Sequence, residues 1–248
     1  MSFVYFGESM RYLRGFLVVL LFAIFGVCSL FLGLVILPVL GFFVKNKREC
    51  FSHLIHKLWK FYTNLFVLLK LIKIDVKNFE QTRGKIIVST HPTFIDIMIL
   101  IGLYDFSLCL AKKELLNNIF LKNIIKNVYI PNNVELEEFK RISIEALNDG
   151  YNIIIFPTGT RTVEGENLKI HKGAAALQIA SGADIIPIKL ECDYPFLQKG
   201  NPIYDASDRL ITYTISQLNP IKLSDFDEKS EIKLRKAISE KIKFDFTN

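Results

Sequence analysis

The sequence lacks the short motifs that identify several large classes of enzymes and binding proteins. It contains no GxSxG nucleophile elbow, no Walker A loop, no GxGxxG turn and no HExxH metal-binding pair. The signatures of nucleic-acid-binding domains are also missing, so we expect no nucleic-acid partner. Internal repeats, low-complexity tracts and long linkers are absent as well. The function therefore has to be inferred from other features of the chain.

Cysteine is scarce, and the four cysteines are scattered along the chain. No two of them have the spacing of metal ligands, so we expect neither a metal site nor another bound cofactor. The cysteines are expected to be small buried residues in a reducing compartment. The chain carries a formal net charge of +6. This charge favours an anionic partner, such as a membrane lipid or an acidic carrier protein.

Charge is absent from one long segment near the N-terminus, residues 15–44. A helix in a protein core needs only one apolar stripe, so a segment that is apolar all round indicates a membrane. As one straight helix it would measure roughly 45 Å, against about 30 Å for the hydrocarbon core of a bilayer. Basic residues flank both ends, which places both flanks on the cytoplasmic side.

We therefore predict that residues 1–48 form a membrane-anchoring helical hairpin, with one tilted span as the alternative. The residues at which the apolar segment can break are Gly26, Gly33, Pro38 and Gly41. The following residues, 49–78, mix lysines with apolar side chains at helical spacing. They predict a basic amphipathic helix at the membrane interface, and packing of one face on the domain core is an equally good interpretation. The apolar side chains at this spacing are Phe51, Leu54, Leu58, Phe61, Leu65, Leu68 and Leu69.

The remainder of the chain, residues 79–248, alternates strand-like and helix-like segments. Strands are predicted near residues 85–90, 107–111, 128–130, 152–156, 185–190 and 210–218. Helices are predicted near residues 95–103, 113–126, 134–148, 172–181 and 229–243. This alternation is typical of an α/β fold in which helices flank a mostly parallel central sheet.

A histidine and an aspartate lie at the junction of the first predicted strand and the helix after it, in the stretch HPTFID. Pro92 disfavours a helical conformation for His91, which leaves the histidine extended at the end of the strand. Asp96 then falls in the first helical turn, where the helix dipole favours its ionised form. Its carboxylate can accept the Nδ1 proton of His91 and leave Nε2 free as a base. A histidine that caps a turn beside an aspartate that caps a helix is the alternative.

A second candidate segment is a buried strand that runs into the loop PTGTR. Ligands bind at the carboxyl ends of strands in α/β folds. Thr158, Thr160 and the backbone N–H groups of this loop can hydrogen-bond an oxyanion, and Arg161 can bind a phosphate through two parallel hydrogen bonds. Lys172 can also reach a phosphate, although a solvated lysine is an equal alternative.

The order of these segments resembles that of the lysophospholipid and glycerolipid acyltransferases, a family that includes the 1-acylglycerol-3-phosphate acyltransferases. HPTFID matches the His-x4-Asp motif of that family, FPTGTR its Phe-Pro-Glu-Gly-Thr-Arg motif, and IIPI its late proline motif. The resemblance covers roughly residues 80–195. It implies transfer of an acyl chain from acyl-CoA or an acyl carrier protein to a hydroxyl of a lipid acceptor.

The same resemblance implies roles for the matching residues. His91 is the base and Asp96 orients it, while Gly159, Thr160 and Arg161 help to hold the acceptor. No metal and no bound cofactor are implied. The active site is expected at the cell membrane, on its cytoplasmic face.

Two positions depart from the family pattern. The glutamate of the Phe-Pro-Glu-Gly-Thr-Arg motif is Thr158 here, and the stretch VYIPNN has Asn132 and Asn133 where the family usually has arginine. Three alternatives therefore stay open: an acyltransferase for a different lipid acceptor, a catalytically silent lipid-binding homologue, and a thioesterase.

Overall fold

Two long N-terminal helices accompany a domain built on a seven-stranded sheet in the computed structural model of the protein. The structure describes residues 2–111, 116–131, 136–162 and 168–247. The chain begins with one continuous helix, made of α1 (Ser2–Phe31), a π-helical segment (Leu32–Ile36) and α2 (Leu37–Phe43).

The predicted break inside the apolar segment is therefore wrong. Pro38 is the second residue of α2 and directly follows the π-helical segment. The π-helical segment before it is closed by a hydrogen bond from the N–H of Leu37 to the carbonyl of Leu32. Its wider turn inserts one extra residue, so the helix passes the proline without reversing direction.

The chain reverses just after the apolar segment, at residues 44–46, and α3 (Lys47–Leu68) returns antiparallel to α1 and α2. Phe22 packs edge-on against Phe66 with ring centroids 6.0 Å apart, and Phe25 packs against Trp59 at 5.2 Å. The hairpin of the structure is therefore not the one predicted within residues 1–48, because its second arm is α3.

The face of α3 that is buried differs from the apolar series read in the sequence. Because α1 covers α3 on one side and the domain covers it on the other, the buried stripe is Phe51, Ile55, Trp59, Tyr62 and Phe66. Phe61, Leu68 and Leu69 belong to the predicted series but are exposed.

One mostly parallel sheet forms the centre of the domain. Its order is β1-β7-β6-β2-β5-β3-β4, and every neighbouring pair is parallel except β6 with β7. The predicted α/β fold is confirmed. The strands are β1 (Ile72–Lys77), β2 (Ile86–Ser89), β3 (Ser107–Ala111), β4 (Tyr129–Pro131), β5 (Asn152–Ile155), β6 (Ile185–Cys192) and β7 (Ile211–Gln217).

Strand β1 corrects the predicted extent of the interfacial helix, which had included these residues. Ile72, Ile74 and Val76 alternate with polar residues, and this two-residue period is that of a strand. β1 pairs in parallel with β7, at the edge of the sheet.

The helices of the domain follow the predicted order. They are α4 (Asp96–Leu103), α5 (Lys122–Val128), α6 (Leu136–Asn148), α7 (Gly173–Ser181) and α8 (Glu231–Thr247), with a short 3₁₀ turn (Leu223–Asp225) before α8. Part of the helix predicted over 113–126 falls outside the described residues. Its described part is α5, which starts later than predicted.

The apolar N-terminal helix contacts the domain at several places along its length. Near its start, Arg11 pairs with Asp205, and Arg14 donates to the carbonyl of Lys70 at 2.6 Å. Further along, Gly33 lies against Asn123 of α5. The outward side is apolar and exposed, and residues 10–43 are long and apolar enough to cross a membrane. The helix is therefore covered by protein on one side only.

Gly15 lies tightly against the domain, because a Cβ there would collide with the carbonyl oxygen of Tyr204. We predict that Gly15→Ala lowers the free energy of unfolding by about 1–3 kcal/mol, measured by denaturant unfolding in detergent micelles. The control is Gly26→Ala on the same helix, where a Cβ would make an ordinary contact with Phe120 at 3.7 Å. That change should stabilise by about 0.5–1 kcal/mol. Equal effects of the two substitutions would contradict the close approach.

Candidate active site

The site lies where two neighbouring parallel strands end. β2 and β5 pair in the centre of the sheet, so the residues after them meet at the same edge. His91 follows β2, and residues 156–162 follow β5. The N–H of Thr162 donates to the carbonyl of His91 at 2.8 Å, and the Phe156 ring stacks on the imidazole with centroids 4.1 Å apart. The two segments singled out in the sequence are thus in direct contact.

His91 and Asp96 form a hydrogen-bonded pair. The Nδ1 atom of His91 is 2.9 Å from Oδ2 of Asp96, which is the first residue of α4. The Asp96 side chain is fully buried, whereas that of His91 is 19% exposed. Since the carboxylate is the acceptor, we assign the proton of the neutral imidazole to Nδ1. Nε2 has no hydrogen-bond partner among the described residues and is left as the basic nitrogen.

Thr93 completes the surroundings of the buried carboxylate. Its N–H donates to Oδ2 of Asp96 at 2.7 Å, and its hydroxyl donates to Oδ1. Burial raises the pKa of the Asp96 carboxyl, while the hydrogen bonds from His91 and Thr93 act in the opposite direction. With the carboxylate ionised, each of the three donors finds a lone pair.

The loop after β5 is held by bonds within the protein. Thr158 is buried and donates its hydroxyl to the carbonyl of Thr160 at 2.9 Å, so this hydroxyl is used inside the loop. Gly159 has a φ of +67°, a left-handed conformation that favours glycine. Arg161 donates one guanidinium N–H to the carbonyl of Leu197 at 2.8 Å, and Thr160 is exposed.

Lys172 lies beside this loop, directly before α7. The N–H of the preceding residue, His171, donates to the carbonyl of Pro157 at 2.7 Å. The Lys172 side chain is exposed and makes no hydrogen bond or ion pair with the described residues. Within the same residues, no three His, Cys, Asp or Glu side chains converge on a metal position. Asn132 and Asn133 lie outside the described residues.

Comparison with known proteins identifies the family of this domain. Residues 71–191, from β1 to β6, match the family model described as Acyltransferase. These residues form an acyltransferase-family domain, which makes up just under half of the chain. The matched range contains His91, Asp96 and the PTGTR loop, but neither the N-terminal helices nor β7.

Several curated proteins named 1-acyl-sn-glycerol-3-phosphate acyltransferase are similar to this acyltransferase. The Borreliella burgdorferi protein is 26% identical over 172 residues, which cover 65% of this chain and 67% of that protein. The Bacillus subtilis protein is 29% identical over 140 residues, which cover 52% of this chain and 69% of that protein. The Cocos nucifera protein is 24% identical over 66% of this chain, and the alignment spans 54% of its own length.

A solved structure shares the whole fold. The crystal structure of the 1-acyl-sn-glycerophosphate (LPA) acyltransferase PlsC from Thermotoga maritima has a TM-score of 0.71 to this acyltransferase at 21% identity. It covers 96% of this chain and 97% of that one. The similarity therefore includes the N-terminal helices as well as the sheet.

Some residues of the acyltransferase site were missed in the sequence. Thr93 had a readable signal, since Thr-x-x-Asp before an apolar run is a helix-capping pattern. Phe156 belongs to a recognised motif, but its stacking on the imidazole could not be read from it. Tyr213 donates its hydroxyl to Thr93 at 3.0 Å, but it is 120 positions away in the sequence and has no local signal.

Proposed function

We propose that the enzyme transfers a fatty acyl group from a thioester to a hydroxyl of a lysophospholipid or related lipid, with His91 as general base. The thioester donor is acyl-CoA or an acyl carrier protein. The observation that carries the proposal is the 2.9 Å bond between His91 and Asp96, which leaves Nε2 as the basic nitrogen. The names of the relatives make 1-acylglycerol-3-phosphate the first acceptor to test.

The reaction needs one proton to move twice. Nε2 of His91 removes the proton of the acceptor hydroxyl while the oxygen attacks the thioester carbonyl. Asp96 stabilises the imidazolium that forms, and backbone N–H groups of the PTGTR loop or at the start of α4 stabilise the tetrahedral oxyanion. When the carbon–sulfur bond breaks, the imidazolium returns the proton to the thiolate. The products are an ester and a free thiol, and no bound cofactor is required because the acyl group arrives activated.

The position of Phe94 supports a lipid acceptor. This residue lies between His91 and Asp96 in the chain, is 43% exposed, and packs edge-on against Phe22 of α1 with centroids 5.8 Å apart. The catalytic loop thus touches the apolar helix. A lipid whose chains lie beside that helix has its headgroup hydroxyl close to the base.

We propose that α1 and α2 lie in the plane of one leaflet and do not span the bilayer. The apolar segment 10–43 is roughly 50 Å long, well over the hydrocarbon thickness of about 30 Å. Since it is held to the domain at two separate places, through Arg11 with Asp205 and through Gly33 against Asn123, a spanning arrangement would pull the domain into the membrane. Insertion of the outward apolar side alone keeps the active site on the cytoplasmic face.

Thr158 gives a reason to test a second class of acceptor. A threonine brings no charge, and its hydroxyl is engaged within the loop. The acceptor side of the site therefore lacks the carboxylate of the family motif, and a lipid alcohol other than a lysophospholipid is the second candidate.

His91→Ala should reduce acyl transfer to lipid by about 10²–10⁴-fold, because it removes the positioned base. Transfer is measured with labelled acyl-CoA or acyl carrier protein and purified lysolipids, and membrane binding by vesicle flotation should not change. The control is His53→Ala. His53 also pairs with an aspartate, since its Nδ1 is 3.0 Å from Oδ2 of Asp105. Asp105 directly precedes β3, so this pair lies at the opposite edge of the sheet from His91.

This assay also separates the alternatives. Release of free acid without an acylated lipid would indicate a thioesterase. Turnover of His91→Ala close to that of the wild type would remove the base assignment, and lipid binding without turnover of any donor would favour a silent homologue.

Thr158→Glu should change the preference among lipid acceptors, because it restores the charge of the family motif beside the acceptor. The measurement is the ratio of kcat/KM for 1-acylglycerol-3-phosphate to that for an uncharged lipid alcohol, with an expected change of about tenfold. Thr158→Val is the control for loss of the hydroxyl alone. Identical ratios for the glutamate variant and the wild type would show that this position does not select the acceptor.

Phe42→Glu with Phe43→Glu should weaken binding to vesicles by about ten- to a hundredfold. These rings are 87% and 81% exposed at the end of α2, so they can enter the bilayer without affecting the fold. The control is Ile232→Glu on α8, where the side chain is 74% exposed but far from the apolar helix in the chain. Unchanged vesicle binding of the double variant would contradict insertion of this side of the helix.

A further inference from the structure

We propose that Tyr213 and Thr93 are positioning residues for the catalytic base, and that they act through the buried carboxylate of Asp96. The chain of hydrogen bonds runs from the hydroxyl of Tyr213 to Thr93, from Thr93 to Asp96, and from Asp96 to the imidazole of His91. The inference rests on the proposed role of His91. It adds a residue from β7, outside the part of the chain that matches the family.

The hydrogen bonds from Tyr213 to Asp96 form an unbroken series, and the residues that make them are shielded from water. Tyr213, Thr93 and Asp96 are each 0% exposed. The Tyr213 hydroxyl is 3.0 Å from Oγ1 of Thr93, and the Thr93 hydroxyl binds Oδ1 of Asp96. The N–H of Thr93 holds the other oxygen at 2.7 Å, beside the bond to the imidazole. The single residue Thr93 thus holds both carboxylate oxygens.

The direction of the bonds follows from the donors available. Burial raises the pKa of the Tyr213 hydroxyl well above its ordinary value, so this hydroxyl keeps its proton and donates. Once Oγ1 of Thr93 accepts that proton, its own hydrogen is directed at Asp96. Tyr213 therefore determines where the Thr93 hydroxyl points, although it does not touch the carboxylate.

Among the described residues, the titratable groups that face this chain are His91 and Cys192. Cys192 ends β6 and is the partner of Tyr213 in the β6–β7 register. Burial raises the pKa of the Cys192 thiol to about 11, so it is neutral over the range in which the enzyme would be assayed. Cys192 therefore does not change charge in this range, and the hydrogen-bonded pair of His91 and Asp96 is the group on which the hydrogen-bond chain acts.

The hydrogen-bond chain lowers the proton affinity of that pair. Each donor to the carboxylate spreads its negative charge, so loss of a donor leaves more charge on Asp96. A proton then binds more tightly, whether it sits on the carboxyl or on the imidazole. The acid limb of the pH–rate profile reports loss of the active, unprotonated pair. It should consequently move to higher pH when one of these hydrogen bonds is removed.

The test is Tyr213→Phe, which keeps the ring and removes the hydroxyl. We expect the acid limb of kcat/KM to move up by about half to one pH unit. We also expect kcat to fall by about three- to tenfold with KM unchanged, the range that corresponds to loss of one hydrogen bond. Thr93→Val should shift the limb at least as far, and Thr93→Ser, which retains the hydroxyl, should restore the profile.

Tyr104→Phe is the matched control. Tyr104 is also 0% exposed, and its hydroxyl donates to Gln217 Oε1 at 2.8 Å, remote from Asp96 in the hydrogen-bond network. This variant loses a buried hydroxyl in the same way, but its acid limb should stay where it is in the wild type. Equal shifts in the two phenylalanine variants would mean that both act through general stability, and would overturn the positioning role.

The double variant tests whether the residues act in series. If Tyr213 acts only through Thr93, then Tyr213→Phe adds no further shift to Thr93→Val, whereas independent effects would add. Additive shifts would overturn the proposal.

A second readout does not depend on turnover. Proton uptake by the pair is followed through the ¹⁵N signals of the His91 ring in the full-length protein in detergent. If Tyr213→Phe moves this titration to higher pH in a protein that transfers no acyl group, the positioning role stands and the proposed function fails. An active enzyme whose titration is unmoved by Tyr213→Phe would overturn the positioning role alone.

Discussion

The buried carboxylate of Asp96 is the group on which the candidate site depends. A charge without water is costly unless it is paired and hydrogen-bonded, and here three donors converge on its two oxygens. Two of those donors come from Thr93, so only one is left to be supplied by the imidazole. The requirement to satisfy Asp96 therefore sets the orientation of His91 and the nitrogen that is free to act as a base.

The apolar helix is part of the fold and more than a tether. Its inner side covers α3, which in turn packs on the domain, and Phe22 touches Phe94 in the catalytic loop. Phe22 thus both covers α3 and contacts the loop that carries His91. In the proposed function, membrane binding and access to the base are consequences of one packing arrangement.

The fold and the site could be predicted from the sequence to different extents. The strands were readable because they are short apolar runs with helices between them, and β2 and β5 were placed correctly. The break predicted at Gly26, Gly33, Pro38 or Gly41 was wrong, since a helix accommodates single glycines and a π-helical turn can accommodate a proline. β1 was merged with the preceding helix, although its alternating pattern is that of a strand. Neither the stacking of Phe156 nor the bond from Arg161 to Leu197 has a local signal.

The sequence by itself indicated the pairing of His91 with Asp96, with separate capping roles as the alternative. The two residues are five positions apart across a strand end and a helix start, and proline with helix capping leaves few local conformations. It also determined the apolar character of the N-terminal helix, which follows from composition alone. Only the tertiary structure decided which residues support Asp96 through hydrogen bonds and which side of α1 is covered by protein. Tyr213 is 120 positions from Thr93, and the two meet because β7 runs antiparallel beside β6. Contacts of this kind depend on the register of distant strands, and no local pattern in the chain encodes that register.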